Sequence, residues 1–462
     1  MCALLLSASN FAVAQKDAVV DEKNVRAEMN FLASDAMQGR GSATGYERIA
    51  AEYIGSQFMQ FGLEPAGQLG WDGKPTYVQT VTIANNTFAE SPTLKYGPVT
   101  LTHGKDMIVW RTNNTSLSGE LQTLSAGEKP KAGAAVLMAT KQDATSNRDS
   151  INAALDMMVA GAPIVIVEDA PSWKQTWANF AARQPSYTST FAPPRPWTIV
   201  VVTREAFAAL ASQPAGTKVE IGGKLAPVEP RYTYNAIAKL TGTDATLGRE
   251  VILLSSHLDH LGNSLPACRP AAMDTICNGA DDDASGSIAV LEMARTIGAG
   301  KRPRRTVYFV CFGSEESGGY GAGYFVNNLP FPKEKLVANL EFEMIGRPDT
   351  AVKPDELWLT GYDKSNLGPE LAKRGAKLVL DPHPEQNFFQ RSDNYTLARQ
   401  GIIAHTVSSY GLHKDYHQVS DEIKTIDFVH MTKSINSMVA PVQWLINSSF
   451  VPAWNAGKNP KQ

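Results

Sequence analysis

Four clusters of imidazole and carboxylate groups stand in series between Val251 and Arg347. His257-Leu258-Asp259 follows the apolar run Val251–Leu254, and Gly279-Ala280-Asp281-Asp282-Asp283-Ala284-Ser285-Gly286 opens an amphipathic segment. Glu315-Glu316 follows the apolar run Val307–Phe312, and Glu343 lies in Asn339-Leu340-Glu341-Phe342-Glu343-Met344-Ile345-Gly346-Arg347. His417 comes later in the chain. These are the ligand types of hydrolytic metal sites. His257, Asp282, Glu316, Glu343 and His417 are too many for one tetrahedral zinc with an open position, but they suit two metals sharing a carboxylate. Two ions roughly 3.5–4 Å apart can hold one hydroxide between them and lower its pKa towards about 7.

The neighbours of these residues have their own chemistry. Residues two apart in an extended chain point to the same side, so Asp259 is expected to accept the spare ring N–H of His257 and fix its tautomer. His260 has no such partner and is assigned a structural role. Glu315 and Glu316 leave the backbone in different directions, so one can bind metal while the other serves as general base. Glu341, two residues before Glu343 on the same strand face, is an alternative ligand.

The elements that carry these groups follow from the periodicity. Each cluster lies just past a buried-looking strand, where ligand sites gather in open parallel sheets. From Glu250 onward strands and helices alternate as in a doubly wound α/β layer: a helix over Ser285–Ile297, strands over Leu336–Met344, Glu356–Thr360 and Ile402–Val407, and a final helix near Met431–Ile446. Residues from about Val20 to Gly62 read as two helices. Thr44-x-x-Glu47 forms a capping box for the second, and Gly62 is its left-handed stop. Between Ser91 and Val228 short apolar runs (Ala134–Met138, Pro163–Val167, Thr198–Val202) alternate with a helical stretch at Ile151–Val159 and Ser/Thr/Pro loops. His103 stands alone there, as a surface or capping residue.

Bulk composition narrows the classes. The 462 residues are 43% hydrophobic and 19% charged, which describes a globular protein of more than one packed unit. A net charge of −3 offers no footprint for nucleic acid or an anionic membrane. No apolar stretch reaches the roughly 20 residues that span a bilayer. Ala3-Leu4-Leu5-Leu6 with Ala12-Val13-Ala14 resembles the apolar core and cleavage site of an export signal lacking its positive start. Residues 1–14 are therefore expected to be a truncated signal peptide and the protein periplasmic or secreted. Cysteine use agrees: Cys2 would leave with the signal, Cys311 sits in an apolar strand, and Cys268 and Cys277 flank a loop they could close as a disulfide. A zinc pair is the rival reading for these two, but their spacing is not C-x₂₋₄-C.

Taken together, HLDH, NGADDDASGSIAVLEMAR, FGSEESGGYGAGYF, EMIGR and DYHQVSDE resemble the co-catalytic dizinc exopeptidases, the family of bacterial leucyl-type aminopeptidases and glutamate carboxypeptidase. The resemblance covers roughly Asn235 to the C-terminus, and Leu32-Ala33-Ser34-Asp35, Gly39-Arg40-Gly41 and Gly62-Leu63-Glu64-Pro65 resemble its exported bacterial members. It implies an α/β fold with a mixed, mostly parallel sheet sandwiched between helices, and a smaller inserted β-rich protease-associated domain. The expected divisions are residues 20–90 and 229–455 for the peptidase domain and 91–228 for the insert. It also implies two zinc ions per chain, with Asp282 bridging them, His257 and Glu343 serving one and Glu316 and His417 the other, without settling which ligands share an ion. Glu315 takes the base role, Asp259 supports His257, and Tyr416 stabilises the oxyanion. Gly286 and the helix after it are packing elements.

Many aminopeptidases of this family carry Asp where this chain has Glu343, a position that can also touch the substrate's free amine. The reading that follows is an exported dizinc aminopeptidase acting on peptides. Its rivals are a carboxypeptidase or dipeptidase of the same family, for which Arg391 is the suggestive residue, a single-zinc glutaminyl cyclase, and an inactive receptor-like homologue. H-E-x-x-H and G-x-S-x-G are absent, which argues against zincin and serine-hydrolase chemistry.

Overall fold

The computed structural model describes residues 19–461 apart from 115, 125–127, 191–195, 228, 266 and 272. The expected export signal over residues 1–14, with Cys2, lies outside them. Two compact units divide the chain: one takes residues up to Val81 together with those from Tyr232 onward, the other is Thr82–Arg231. The second unit begins before the expected 91 and ends after the expected 228. The reason is that the strands Val78–Thr87 and Pro230–Leu240 run continuously through both junctions.

The larger unit is built on a mixed sheet. Its strands are β1 (Pro230–Leu240), β2 (Val251–His257), β3 (Thr306–Phe312), β4 (Leu336–Phe342), β5 (Leu357–Leu359), β6 (Leu378–Leu380) and β7 (Ala404–Ser408), side by side in the order β6-β5-β7-β4-β2-β3-β1. The central four, β7-β4-β2-β3, are parallel. β1 runs antiparallel to β3 and β5 antiparallel to β7, while β6 is parallel to β5. Strands buried on both faces explain the unbroken apolar runs of β2 and β3. Ile252, Leu254, Val307, Phe309 and Cys311 join the core beneath the helices Glu22–Leu32, Gly45–Gln60, Gly286–Ala299 and Phe428–Asn447. Leu253, Tyr308, Val310 and Phe312 join the opposite core, beneath Tyr320–Asn327 and Asp393–Ala398. The result is a helix–sheet–helix sandwich. Among the described residues no helix is long and apolar enough to cross a membrane.

The smaller unit carries its own eight-stranded sheet, with two cores of its own. Ala134–Met138 and Thr198–Val202 are strands over the expected residues, and the helix there is Arg148–Val159. His103 is not at the surface. It is buried, with Nδ1 accepting from the Val109 N–H, so Nε2 donates to the carbonyls of Phe180 and Arg183.

Three local features tie the start of the chain to the ends of the parallel strands. Thr44 caps its helix through the N–H groups of Tyr46 and Glu47. Glu47 does not complete a capping box, however. The Thr44 N–H donates to the Gly41 carbonyl instead, and the buried Glu47 carboxylate accepts from Thr233 Oγ1, the Ser314 N–H and the Ala43 N–H. Ser42 donates to Asp259. Arg40, 1% exposed, donates to four carbonyls: Leu32 (2.6 Å), Asn278 (2.7 Å), Leu258 (2.9 Å) and Gly279 (2.9 Å). The guanidinium thereby stitches the first helix to the loops after His257 and before Asp282. Replacing it orphans those carbonyls inside the protein. Arg40→Met is expected to cost about 3–5 kcal/mol in urea denaturation. Arg40→Lys should recover only part of it, since one ammonium lacks the planar fork that reaches four acceptors. Equal midpoints for the wild type and both variants would contradict this account.

Candidate metal centre

Parallel strands in register bring the clusters to one edge. His257 is the last residue of β2 and pairs with Phe312, the last of β3, so Glu315 and Glu316 emerge beside it. Glu343 follows the end of β4, and the segment after β7 leads to His417. Positive φ values at Ser314 (55°), Met344 (51°) and His417 (57°) turn the chain sharply at the points where these side chains are presented. The first two turns are pinned by Glu47 on the Ser314 N–H and Asp283 on the Met344 N–H.

The three consecutive aspartates have three different partners. Asp281 accepts from the Gly346 N–H at 2.7 Å and lies 2.9 Å from His413 Nε2. Asp283 accepts from the N–H groups of Gly286 (2.9 Å), Met344 (3.1 Å) and His257 (3.3 Å), joining three elements. Among the described residues no backbone N–H donates to the Asp282 carboxylate. Its Oδ1 lies 3.2 Å from His257 Nε2 and its Oδ2 3.3 Å from His417 Nε2. The loop is held by Asp421, which accepts from the Asp281 and Asp282 N–H groups and is gripped by Arg347 at 2.8 Å. A Cβ on Gly286 would overlap the Phe342 carbonyl and the Asp283 carboxylate, so this position admits only glycine.

Two sets of ligand-type atoms converge on Asp282: His257, Asp282 and Glu343 in one, His260, Asp282 and Glu316 in the other. His417 Nε2 is 3.2 Å from Glu316 Oε2, so it joins the second set. The five sequence-predicted ligands are thus brought together around one carboxylate. Glu341 is not among them: it accepts from the Asn394 N–H (2.7 Å) and Thr406 Oγ1 (3.1 Å). The residue that sequence reasoning passed over is His260, whose Nδ1 approaches Glu316 Oε1 to 2.7 Å. Its signal was the H-x-D-H spacing itself, in which the second histidine follows the end of a strand that already ends in a ligand type.

Asp259 supports the site differently from expectation. Its carboxylate is 3.8 Å from His257 Nδ1, which lies instead 3.2 Å from the Asp259 backbone carbonyl. β2 ends at His257, so the alternation of an extended chain no longer holds two residues on. The Asp259 carboxylate accepts from Ser42 and, at 3.0 Å, from the Glu315 N–H. It therefore positions Glu315.

The electrostatics of the centre call for cations. Burial, reinforced by Asp393, Glu316 and Glu343, holds the Glu315 carboxyl well above its usual range. Burial, with Glu341 and Asp282 nearby, pushes Glu343 up to about 8. His257 Nε2, Asp282 Oδ2 and Glu316 Oε1 are buried without a hydrogen bond. Buried polar atoms are rarely left so. Imidazole nitrogens and carboxylate oxygens converging without donors between them are the donor set zinc takes, so these residues fit the metal that the sequence resemblance implies. Beside them Tyr416 stacks on His417 at 3.8 Å, and Arg391 Nη2 donates to Tyr416 Oη at 3.3 Å. Cys268 and Cys277 are joined as a disulfide and pack with Val419, two residues past His417. Cys311 is free and buried.

Parts of the chain are similar to known proteins. The model of peptidase family M28 matches residues 235–441. Leupeptin-inactivating enzyme 1 of Streptomyces exfoliatus is 37% identical over 118 residues, which are 25% of this chain and 23% of that protein. An aminopeptidase of Pseudomonas aeruginosa is 35% identical over 118 residues, 25% of this chain and 19% of that protein. The matched stretch thus covers less than a quarter of either relative's length. In fold, the chain is similar to the solved aminopeptidase from Aneurinibacillus sp. strain AM-1, with a TM-score of 0.50 and 18% identity over 94% of this chain and 95% of that one. The stretch that matches the family M28 model, residues 235–441, contains His257, Asp282, Glu316, Glu343 and His417.

Proposed function

We propose that the protein is an exported dizinc exopeptidase that removes N-terminal residues from peptides. The observation that carries this reading is the position of Asp282 in two ligand sets at once. In it, His257, Asp282 and Glu343 would hold one zinc, and Asp282, Glu316 and His417 the other. Bound zinc supplies Lewis acidity and lowers the pKa of water.

The chain's own groups do the rest. Glu315, raised in pKa by burial, takes a proton from the attacking water and passes it to the leaving amine. Tyr416 Oη donates to the oxygen of the scissile carbonyl. The pocket beside these groups is lined by Met344, Trp358, Phe388 and Tyr410 and also reaches Glu315 and Glu343. An apolar side chain at the cleaved position fits the aromatic wall, and a free ammonium fits the carboxylates. Export belongs to the same reading, because the Cys268–Cys277 disulfide suits an oxidising compartment. The unit Thr82–Arg231 is assigned as the inserted protease-associated domain. A carboxypeptidase reading draws on one observation, that Arg391 also lines this pocket and can meet a substrate carboxylate.

A panel of aminoacyl-anilides and N-blocked peptides, assayed with metal analysis on the same sample, separates these readings. The expected result is two zincs per chain and cleavage of free-amine substrates only. Cleavage confined to the carboxyl end would replace aminopeptidase by carboxypeptidase, and one zinc or none would refute the dizinc centre. Glu315→Gln should lower kcat by about 100- to 10,000-fold, the range for a lost general base, without loss of metal. Asp259→Ala should lower kcat by about 10- to 100-fold, again with zinc content kept, since it positions the base rather than a ligand. Loss of zinc in this variant would place Asp259 on the metal side instead.

A further inference from the structure

His260 lies at this edge beside Glu316 and His417, and the proposed mechanism gives it no part. It is 1% exposed, and both ring nitrogens are buried without a hydrogen bond. Its position is built with care. The backbone N–H donates to the Arg40 carbonyl at 3.2 Å, and the ring packs edge-on against His417 at 5.8 Å. On its other side a Cβ on Gly279 would lie 2.6 Å from the His260 Cδ2, and Gly279 also holds φ +60°, so only glycine leaves room for the ring. A buried imidazole with no partner forfeits the hydrogen bonds it had in water. Nothing in apolar packing explains such a choice.

The ring is aimed at the second ligand set. Nδ1 stands 2.7 Å from Glu316 Oε1 and 3.8 Å from Asp282 Oδ2, in the group that could hold an ion. Its approach to Glu316 lacks the alignment of a hydrogen bond, and Glu316 Oε1 is itself unpartnered. A cation lying between the three atoms would satisfy all of them. We propose that His260 Nδ1 is a further protein ligand of the zinc ion held by Asp282, Glu316 and His417. The two centres are then unequal: one has a single imidazole, His257, with Asp282 and Glu343, and the other has two imidazoles with Asp282 and Glu316. Imidazole-rich sites favour zinc and cobalt over magnesium or manganese, so the second centre should be the tighter and more selective of the two.

This inference rests on the dizinc reading, and the experiment separates their failures. Wild type and His260→Ala are loaded with cobalt, and each ion's affinity is measured by chelator competition with visible absorption recorded. His260→Ala should weaken one of the two ions by about 100-fold and shift the cobalt absorption, with the other ion unaffected. Affinities within about threefold and an unchanged spectrum would overturn the assignment, while a wild type that binds fewer than two ions would overturn the dizinc reading itself. X-ray absorption on the two-zinc wild type needs no variant to fold. Three imidazoles shared over the two ions are expected if His260 binds, and two would refute it.

Discussion

Burying acids beside one another is the constraint on which the larger unit depends. Asp259, Asp281, Asp282, Asp283, Glu341 and Asp421 are all buried near one edge of the sheet, and Glu316 and Glu343 stand among them. Each ionised carboxylate taken from water costs several kcal/mol unless donors or counter-charges replace the solvent. The chain answers with backbone N–H groups for most of them: Glu315 for Asp259, Gly346 for Asp281, three for Asp283, Asn394 for Glu341, and Asp281 with Asp282 for Asp421. Asp282 Oδ2 and Glu316 Oε1 are left without donors and face histidines instead. That difference separates acids that hold the loops from acids that hold something else.

The same constraint explains the turns. A side chain that must reach back over the end of its strand needs a sharp reversal, and Ser314, Met344 and His417 supply it with positive φ although none is glycine. Such conformations cost on the order of 1–2 kcal/mol per residue and persist where surrounding contacts determine them. Here those contacts come from the acids just described, with Glu47 and Asp283 each gripping one turn. Acid burial and backbone strain therefore support one another.

The stretch Glu22–Gln60, which shows no chemistry of its own in sequence, proves to be part of this support. Ser42 and Glu47 meet Asp259 and Ser314 from more than two hundred positions away, and Arg40 ties the loops on both sides of the centre to the first helix. Their partners are backbone groups and buried acids brought close only by packing.

The sequence by itself determined the alternation of strands and helices after Glu250 and the ligand types at strand ends, because periodicity and ligand chemistry are local. It also singled out Asp282 among three aspartates by resemblance to a family motif. It could not say that Asp259 turns to the Glu315 N–H rather than to His257, nor that Glu47 leaves its own helix cap for Ser314. Nor did it show that His260 enters the second ligand set while Glu341 stays out. Those outcomes were decided by the tertiary structure alone. Each is a choice among competing partners, and the winning partner lies on a different element, placed by the register of parallel strands rather than by spacing along the chain.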